Sequence, residues 1–216
     1  MTFVLGLTGS IGMGKSATAA LFRETGVPVH DADACVHALY APGGAAVAPV
    51  AALFPGVLDE TRGIDRARLR SAVLGDDAAM RRLEAAVHPL VRAAEAAFLA
   101  GVAGAPLAVL DVPLLYETGG ERRCDAVAVV TAPEDVQRAR VLARPGMTQA
   151  ALDAILVKQV PDAEKRRRAD FLVDTGRGFP EARAQVQAIV AAIRGGWTRT
   201  AGDGRGTRAT GPLNPR

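Results

Sequence analysis

The sequence predicts an α/β protein built on a parallel β-sheet. Short apolar runs bounded by Gly, Pro or charge alternate with longer stretches of helical periodicity. The first of these runs passes through a glycine-rich stretch directly into a helical pattern, the order in which parallel sheets are wound. Over 216 residues, 49% hydrophobic and 23% charged content fits one globular domain, or a core domain with small insertions. A chain of this length buries roughly 70% of the surface its unfolded form exposes, so no disulfide or structural metal is needed. With only 4% aromatic residues, that core must be built from Ala, Val and Leu.

Strands are expected over residues 3–8, 27–31, 107–111, 125–131 and 170–174, where Val, Leu and Ala cluster between turn residues. Between the second and third lies a long insertion, about 32–104, that reads as entirely helical and is expected to cap the carboxyl edge of the sheet. Its clearest helix takes Asp76 or Asp77 as N-cap and runs through Leu83, Val87, Val91 and Phe98, with Pro89 expected to kink or end it. Residues 133–168 predict two or three short, arginine-rich helices. The stretch 179–194 predicts a final amphipathic helix with Val186, Ile189, Val190 and Ile193 on one side. From Gly195 onward Gly, Thr, Arg and Pro appear without apolar periodicity, so 195–216 is expected to be a disordered tail.

Gly9-Ser10-Ile11-Gly12-Met13-Gly14-Lys15-Ser16 fits G-x-x-x-x-G-K-[ST] between a predicted strand and a predicted helix. Glycines permit a tight loop whose N–H groups converge on one centre, and the helix N-terminus adds positive potential there. Phosphates fit such a loop, with Lys15 reaching the β and γ phosphates and the Ser16 hydroxyl on Mg²⁺. Leu107-Ala108-Val109-Leu110 ends in Asp111, which either acts on the Mg²⁺ shell or merely caps the next turn. Asp31-Ala32-Asp33 follows the second strand. One carboxylate there orients or deprotonates an acceptor hydroxyl, or the pair is a helix N-cap followed by a first-turn acid. Arg140 and Arg144, at i and i+4, either share a helix face that clamps a polyphosphate or belong to a solvated face. His88-Pro89 is uninformative by itself.

Other functions are disfavoured by charge and composition. The formal net charge of +3 resides in residues 195–216, where Arg199, Arg205, Arg208 and Arg216 face Asp203 alone. The body is neutral, which argues against a nucleic-acid partner. A GTP switch needs an N-K-x-D base reader, and Asn214 is the only asparagine. Cys35 and Cys124 show no metal-ligand spacing with His30, His37 or His88, and a reduced, intracellular protein is expected. The N-terminus lacks a basic n-region, and the uncharged, apolar-rich stretch 96–110 is broken by Gly101, Gly104 and Pro106, so no bilayer span is expected.

In this order, Leu7 to Ser16, Asp31-Ala32-Asp33, His88-Pro89-Leu90-Val91, Asp111-Val112-Pro113-Leu114-Leu115-Tyr116-Glu117, Gln137 to Arg140 with Arg144, Gln159-Val160-Pro161, Lys165-Arg166 and Ala169-Asp170-Phe171 resemble the dephospho-CoA kinase family over residues 3–176. The resemblance implies a P-loop NTPase three-layer fold with a five-stranded parallel sheet. Its nucleotide-binding core would comprise 1–31 and 105–194, its helical acceptor-binding insertion 32–104, and its helical lid about 138–168. It implies a cytoplasmic enzyme that uses ATP and Mg²⁺ to phosphorylate the ribose 3′-hydroxyl of dephospho-CoA, the last step of coenzyme A biosynthesis. Nucleic acid, membrane and an obligate protein partner are not implied. Catalytic roles fall to Asp33 as base, Lys15, and Arg140 near the ATP phosphates. Nucleotide binding falls to Gly9, Ser10, Ile11, Gly12, Met13, Gly14, Lys15, Ser16, Ala17 and Arg144, and acceptor binding to Asp33, His88, Arg92, Leu114 and Glu117. Ser16 and Asp111 are the implied metal residues. Ala17 stands where Ser or Thr is frequent, and Thr175 where Asn is often found. A small-molecule kinase of the same architecture with another alcohol acceptor is the nearest rival, and only the insertion discriminates the two.

Overall fold

The computed structural model describes residues 1–199 and divides into two compact units, Met1–His30 with Val102 onward, and Asp31–Gly101. The first unit carries strands β1 (Phe3–Thr8), β3 (Leu107–Asp111), β4 (Ala126–Thr131) and β5 (Phe171–Asp174); β2 (Val29–Asp31) runs into the second. They form a five-stranded parallel sheet in the order β2-β3-β1-β4-β5, with Leu7 opposite Asp111 and Thr8 opposite Val129. Both β3 and β4 are buried along their whole length, so each reads as a continuous apolar run rather than an alternation. Helix α1 (Lys15–Glu24) and helix α9 (Phe179–Arg194) pack on each other. Phe22, Val186, Ile189 and Val190 from these helices join Leu5, Leu7, Val109 and Val130 in the main core. The chain leaves β1 toward β2 on one side and leaves β3 toward β4 on the other. The strand order therefore reverses between β1 and β3, and parallel sheets bind ligands at the carboxyl ends of such a pair.

The arginine-rich region forms three helices, α6 (Glu134–Leu142), α7 (Gln149–Leu156) and α8 (Asp162–Arg168). Because α6 stops at Leu142, the shared helix face expected for Arg140 and Arg144 does not exist: Arg144 lies beyond the end, in a turn closed by Pro145-Gly146. Proline prevents the helix from continuing there.

The second unit packs α5 (Asp77–Gly101) against α2 (Ala32–Tyr40), α3 (Val47–Leu53) and α4 (Arg66–Val73) around Val50, Phe54, Val57, Leu69 and Val87. One expectation is corrected here and another is narrowed. The segment is not entirely helical, because Leu58 and Ile64 form an antiparallel bridge around a turn in which Asp59 accepts hydrogen bonds from Thr61 and Gly63. Pro89 does not end α5. It removes one N–H bond to the carbonyl of Ala85, an exposed position that water can reach, while Leu83, Val87, Leu90 and Val91 on both sides stay packed on the unit's core. Asp76 caps the helix by accepting from the N–H groups of Ala78 and Ala79 at 2.9 Å each. Among the described residues, no helix is long and apolar enough to cross a membrane.

Of the tail expected to lack structure, residues 200–216 lie outside the described residues, but 195–199 pack on the first unit. Trp197 meets Phe171 with ring centroids 4.8 Å apart and Phe3 edge-on at 6.0 Å, and the Arg199 guanidinium donates to both oxygens of Asp170. The lone tryptophan supplies apolar area that the surrounding Gly and Thr do not. Trp197→Ala is expected to destabilise the protein by about 2 kcal/mol, below the usual value for a fully buried Trp because this ring is half-buried. Urea denaturation measures it, and an unchanged midpoint would show that the ring only rests on the surface.

Candidate active site

The glycine-rich loop between β1 and α1 is held in place by close contacts. Gly12 has φ 79°, and a Cβ there would lie 2.5 Å from Val141 Cγ2, so a side chain is excluded both by conformation and by space. Gly14 caps α1 at φ 91° and supplies no side-chain acceptor, which leaves the first N–H groups of α1 for an anion.

Lys15 and Asp111 meet at this loop. The ammonium lies 2.6 Å from Asp111 Oδ1, with the two side chains 13% and 2% exposed. Asp111 thus lies beside the loop lysine. Ser16, next in the chain, is exposed on the first turn of α1. The predicted loop residues Gly9, Ser10, Ile11, Gly12, Met13, Gly14, Lys15, Ser16 and Ala17 therefore form one continuous site with Asp111.

Three residues passed over by sequence reasoning hold the loop. Gln137, buried on α6, donates to the Ile11 carbonyl at 2.7 Å, while the Ile11 N–H donates to Gln159 Oε1 at 3.2 Å. Both polar groups of one loop residue are thus satisfied by two glutamines 22 positions apart in sequence. Thr175, just after β5, donates its hydroxyl hydrogen to the Met13 carbonyl at 2.7 Å and accepts from Arg140 at 2.8 Å. Arg140 also donates to the Thr175 carbonyl at 2.8 Å. A cavity of about 180 Å³ opens beside these groups, lined by Gly14, Ala17, Thr18, Arg140, Thr175 and Phe179 among others. Arg140 thus belongs to the wall of a pocket next to the loop, whereas Arg144 is exposed. The only signals for the three residues were a Gln in the Gln137-to-Arg140 segment, a Gln before Val160-Pro161, and the Thr where Asn is often found. None of these encodes a contact with the loop.

The remaining predicted residues divide by unit. In the first, Leu114 is 42% exposed, and Glu117 is turned inward to Lys165, with Oε1 2.9 Å from the ammonium and accepting from the Val160 N–H at 2.9 Å. Burial pushes the Glu117 carboxyl up, but the Lys165 ammonium and the Val160 N–H outweigh it and hold the carboxyl below the usual glutamate range. Lys165 is fully buried, so its pairing with Glu117 anchors α8 to the segment after β3. In the second unit, Asp31 accepts from the Ala34 N–H at 2.9 Å and is the N-cap of α2, while Asp33 lies exposed in its first turn. His88 and Arg92 are both exposed and one turn apart on α5.

A lysine-bearing phosphate loop at the point where a parallel sheet reverses its strand order, faced by a carboxylate from the neighbouring strand, places the molecule among the P-loop NTPases. The model of the dephospho-CoA kinases matches residues 3–181, and the chain belongs to that family, whose known function is the last step of coenzyme A biosynthesis. A dephospho-CoA kinase of Mesorhizobium japonicum is 62% identical over 195 residues, covering 89% of this chain and 97% of the relative. Another, of Paramagnetospirillum magneticum, is 61% identical over 194 residues, covering 89% and 91%. Among solved structures, a Thermus thermophilus protein shares 35% identity at a TM-score of 0.78, covering 88% of this chain and 97% of that one.

Proposed function

We propose that the chain transfers the γ-phosphoryl group of ATP to the ribose 3′-hydroxyl of dephospho-CoA, giving coenzyme A and ADP. The 2.6 Å approach of Lys15 to Asp111 beside the phosphate loop supports the phosphoryl-transfer half of this reading, and membership of the dephospho-CoA kinase family supports the acceptor half. The N–H groups at the start of α1 and the Lys15 ammonium hold the phosphates and face the charge that grows on them during transfer. Asp33 takes the proton of the 3′-hydroxyl as its oxygen bonds to the γ phosphorus, while the bond from that phosphorus to the β,γ-bridging oxygen breaks and ADP leaves. Leu114, His88 and Arg92 are assigned to the acceptor, as is the helical unit 32–104; residues 138–168 are assigned to a lid, with Arg144 on the nucleotide.

Mg²⁺ fits the donor set. Among the described residues no cluster of three or more His, Cys, Asp or Glu is built to hold a metal by itself. Ser16 and Asp111 offer one hydroxyl and one carboxylate, the sparse oxygen set that leaves the other positions to phosphate oxygens and water. When bound there, the ion supplies charge neutralisation across the β and γ phosphates. Both cysteines are thiols, which supports a cytoplasmic setting.

A coupled assay of ADP release tests the acceptor. Dephospho-CoA is expected to support turnover, and AMP, adenosine and shikimate to support little. Equal rates with any of the three would transfer the assignment to another kinase of this architecture.

A further inference from the structure

The large side chains left exposed in the described residues include one aromatic, Phe179, which is 65% exposed. The other aromatic rings follow the normal rule: Phe22, Phe54, Phe171 and Tyr116 are buried in the cores, and Trp197 packs on Phe3 and Phe171. Phe179 belongs to no core cluster and lines the cavity that begins at Gly14 of the phosphate loop. Its mount is stiff. Gly178 precedes it at φ 95° and Pro180 follows it in the first turn of α9, so the ring is presented from a helix start rather than from a pliant loop. Across the same lining, the planar Arg140 guanidinium is fixed by its two hydrogen bonds to Thr175. Ala17, Leu21 and Ala182 complete an apolar lining.

A flat, apolar-faced group attached to phosphates matches these features, and the phosphates in question are those already assigned to the loop. The geometry points to Phe179 as a residue that stacks on the base of the phosphoryl donor, an assignment that rests on the phosphate-loop reading above. Aromatic stacking engages the face of a base and not its edges, so Phe179 strengthens binding of purine nucleotides without choosing between adenine and guanine. Stacking on a ring contributes about 5- to 160-fold in affinity per base, and an exposed ring sits toward the lower end of that range.

Calorimetric titration of ATP, GTP and inorganic tripolyphosphate, each with Mg²⁺, into wild type, Phe179→Ala, Phe179→Trp and Lys15→Ala tests the assignment. Phe179→Ala is expected to weaken ATP and GTP by about tenfold each while tripolyphosphate stays within twofold, and Phe179→Trp is expected to retain ATP affinity. The exposed position predicts an unchanged melting temperature for both. The assignment is overturned if Phe179→Ala binds ATP within twofold of wild type, or if it loses tripolyphosphate as strongly as ATP. In either case the phosphate loop still stands when Lys15→Ala weakens tripolyphosphate. If Lys15→Ala leaves tripolyphosphate binding unchanged, the loop reading falls and the base contact falls with it.

Discussion

Lys15→Ala is expected to lower kcat by about 10²- to 10³-fold, the loss that follows removal of one preorganised positive group from developing charge. The same substitution removes the ammonium 2.6 Å from Asp111, a carboxylate that is 2% exposed. Losing a partner of a buried ion pair costs about 3 kcal/mol, so the variant should also melt earlier. The two effects separate in Lys15→Ala/Asp111→Asn. Neutralising the carboxylate should recover part of the stability, while turnover stays low because the phosphate charge still lacks its lysine. Near-wild-type turnover of purified Lys15→Ala would remove the loop from the mechanism. Recovered turnover in the double variant would show that the single one failed through misfolding.

Asp33→Asn is expected to lower kcat by about 10²- to 10⁴-fold with ATP affinity kept, because an amide preserves shape but takes no proton. Asp33 is exposed in the first turn of α2 and has the reach of a first-turn acid without being committed to the cap. The cap is Asp31, whose carboxylate accepts from Ala34. Asp31→Ala should therefore cost about 1 kcal/mol of stability and leave the chemical step comparatively intact. Steady-state kinetics and urea denaturation on the two variants distinguish the roles. An inactive Asp31→Ala beside an active Asp33→Asn would exchange them, and full activity in both would leave the acceptor proton to another group.

Local order carried most of what was legible in the chain. The five strands fall where apolar runs end in Gly, Pro or charge, because a buried parallel strand must be apolar throughout and must stop where the backbone turns. The phosphate loop was equally readable, since its chemistry needs contiguous residues: glycines that close the turn, then a lysine, then a hydroxyl. The family followed from the order of several such short pieces, with Asp31-Ala32-Asp33 and Asp111 to Glu117 more specific than the loop.

What depended on distance through space was not legible. Glu117 is an acceptor residue by resemblance alone, and its pairing with Lys165, 48 positions away, appears only in the fold, where a fully buried ammonium requires such a carboxylate. Arg140 and Arg144 are four apart in sequence but not on one helix, because the end of α6 falls between them. Trp197 stands in a segment of tail-like composition, and only the edge formed by Phe3 and Phe171 gives it a surface to cover. Gln137, Gln159 and Thr175 hold the loop from places that no spacing rule connects to it. Sequence by itself determined the strands, the phosphate loop and the family, since each depends on residues adjacent in the chain. Tertiary structure decided which side chains those elements face, since a hydrogen bond or ion pair between distant residues exists only once the sheet has brought its partners within about 3 Å.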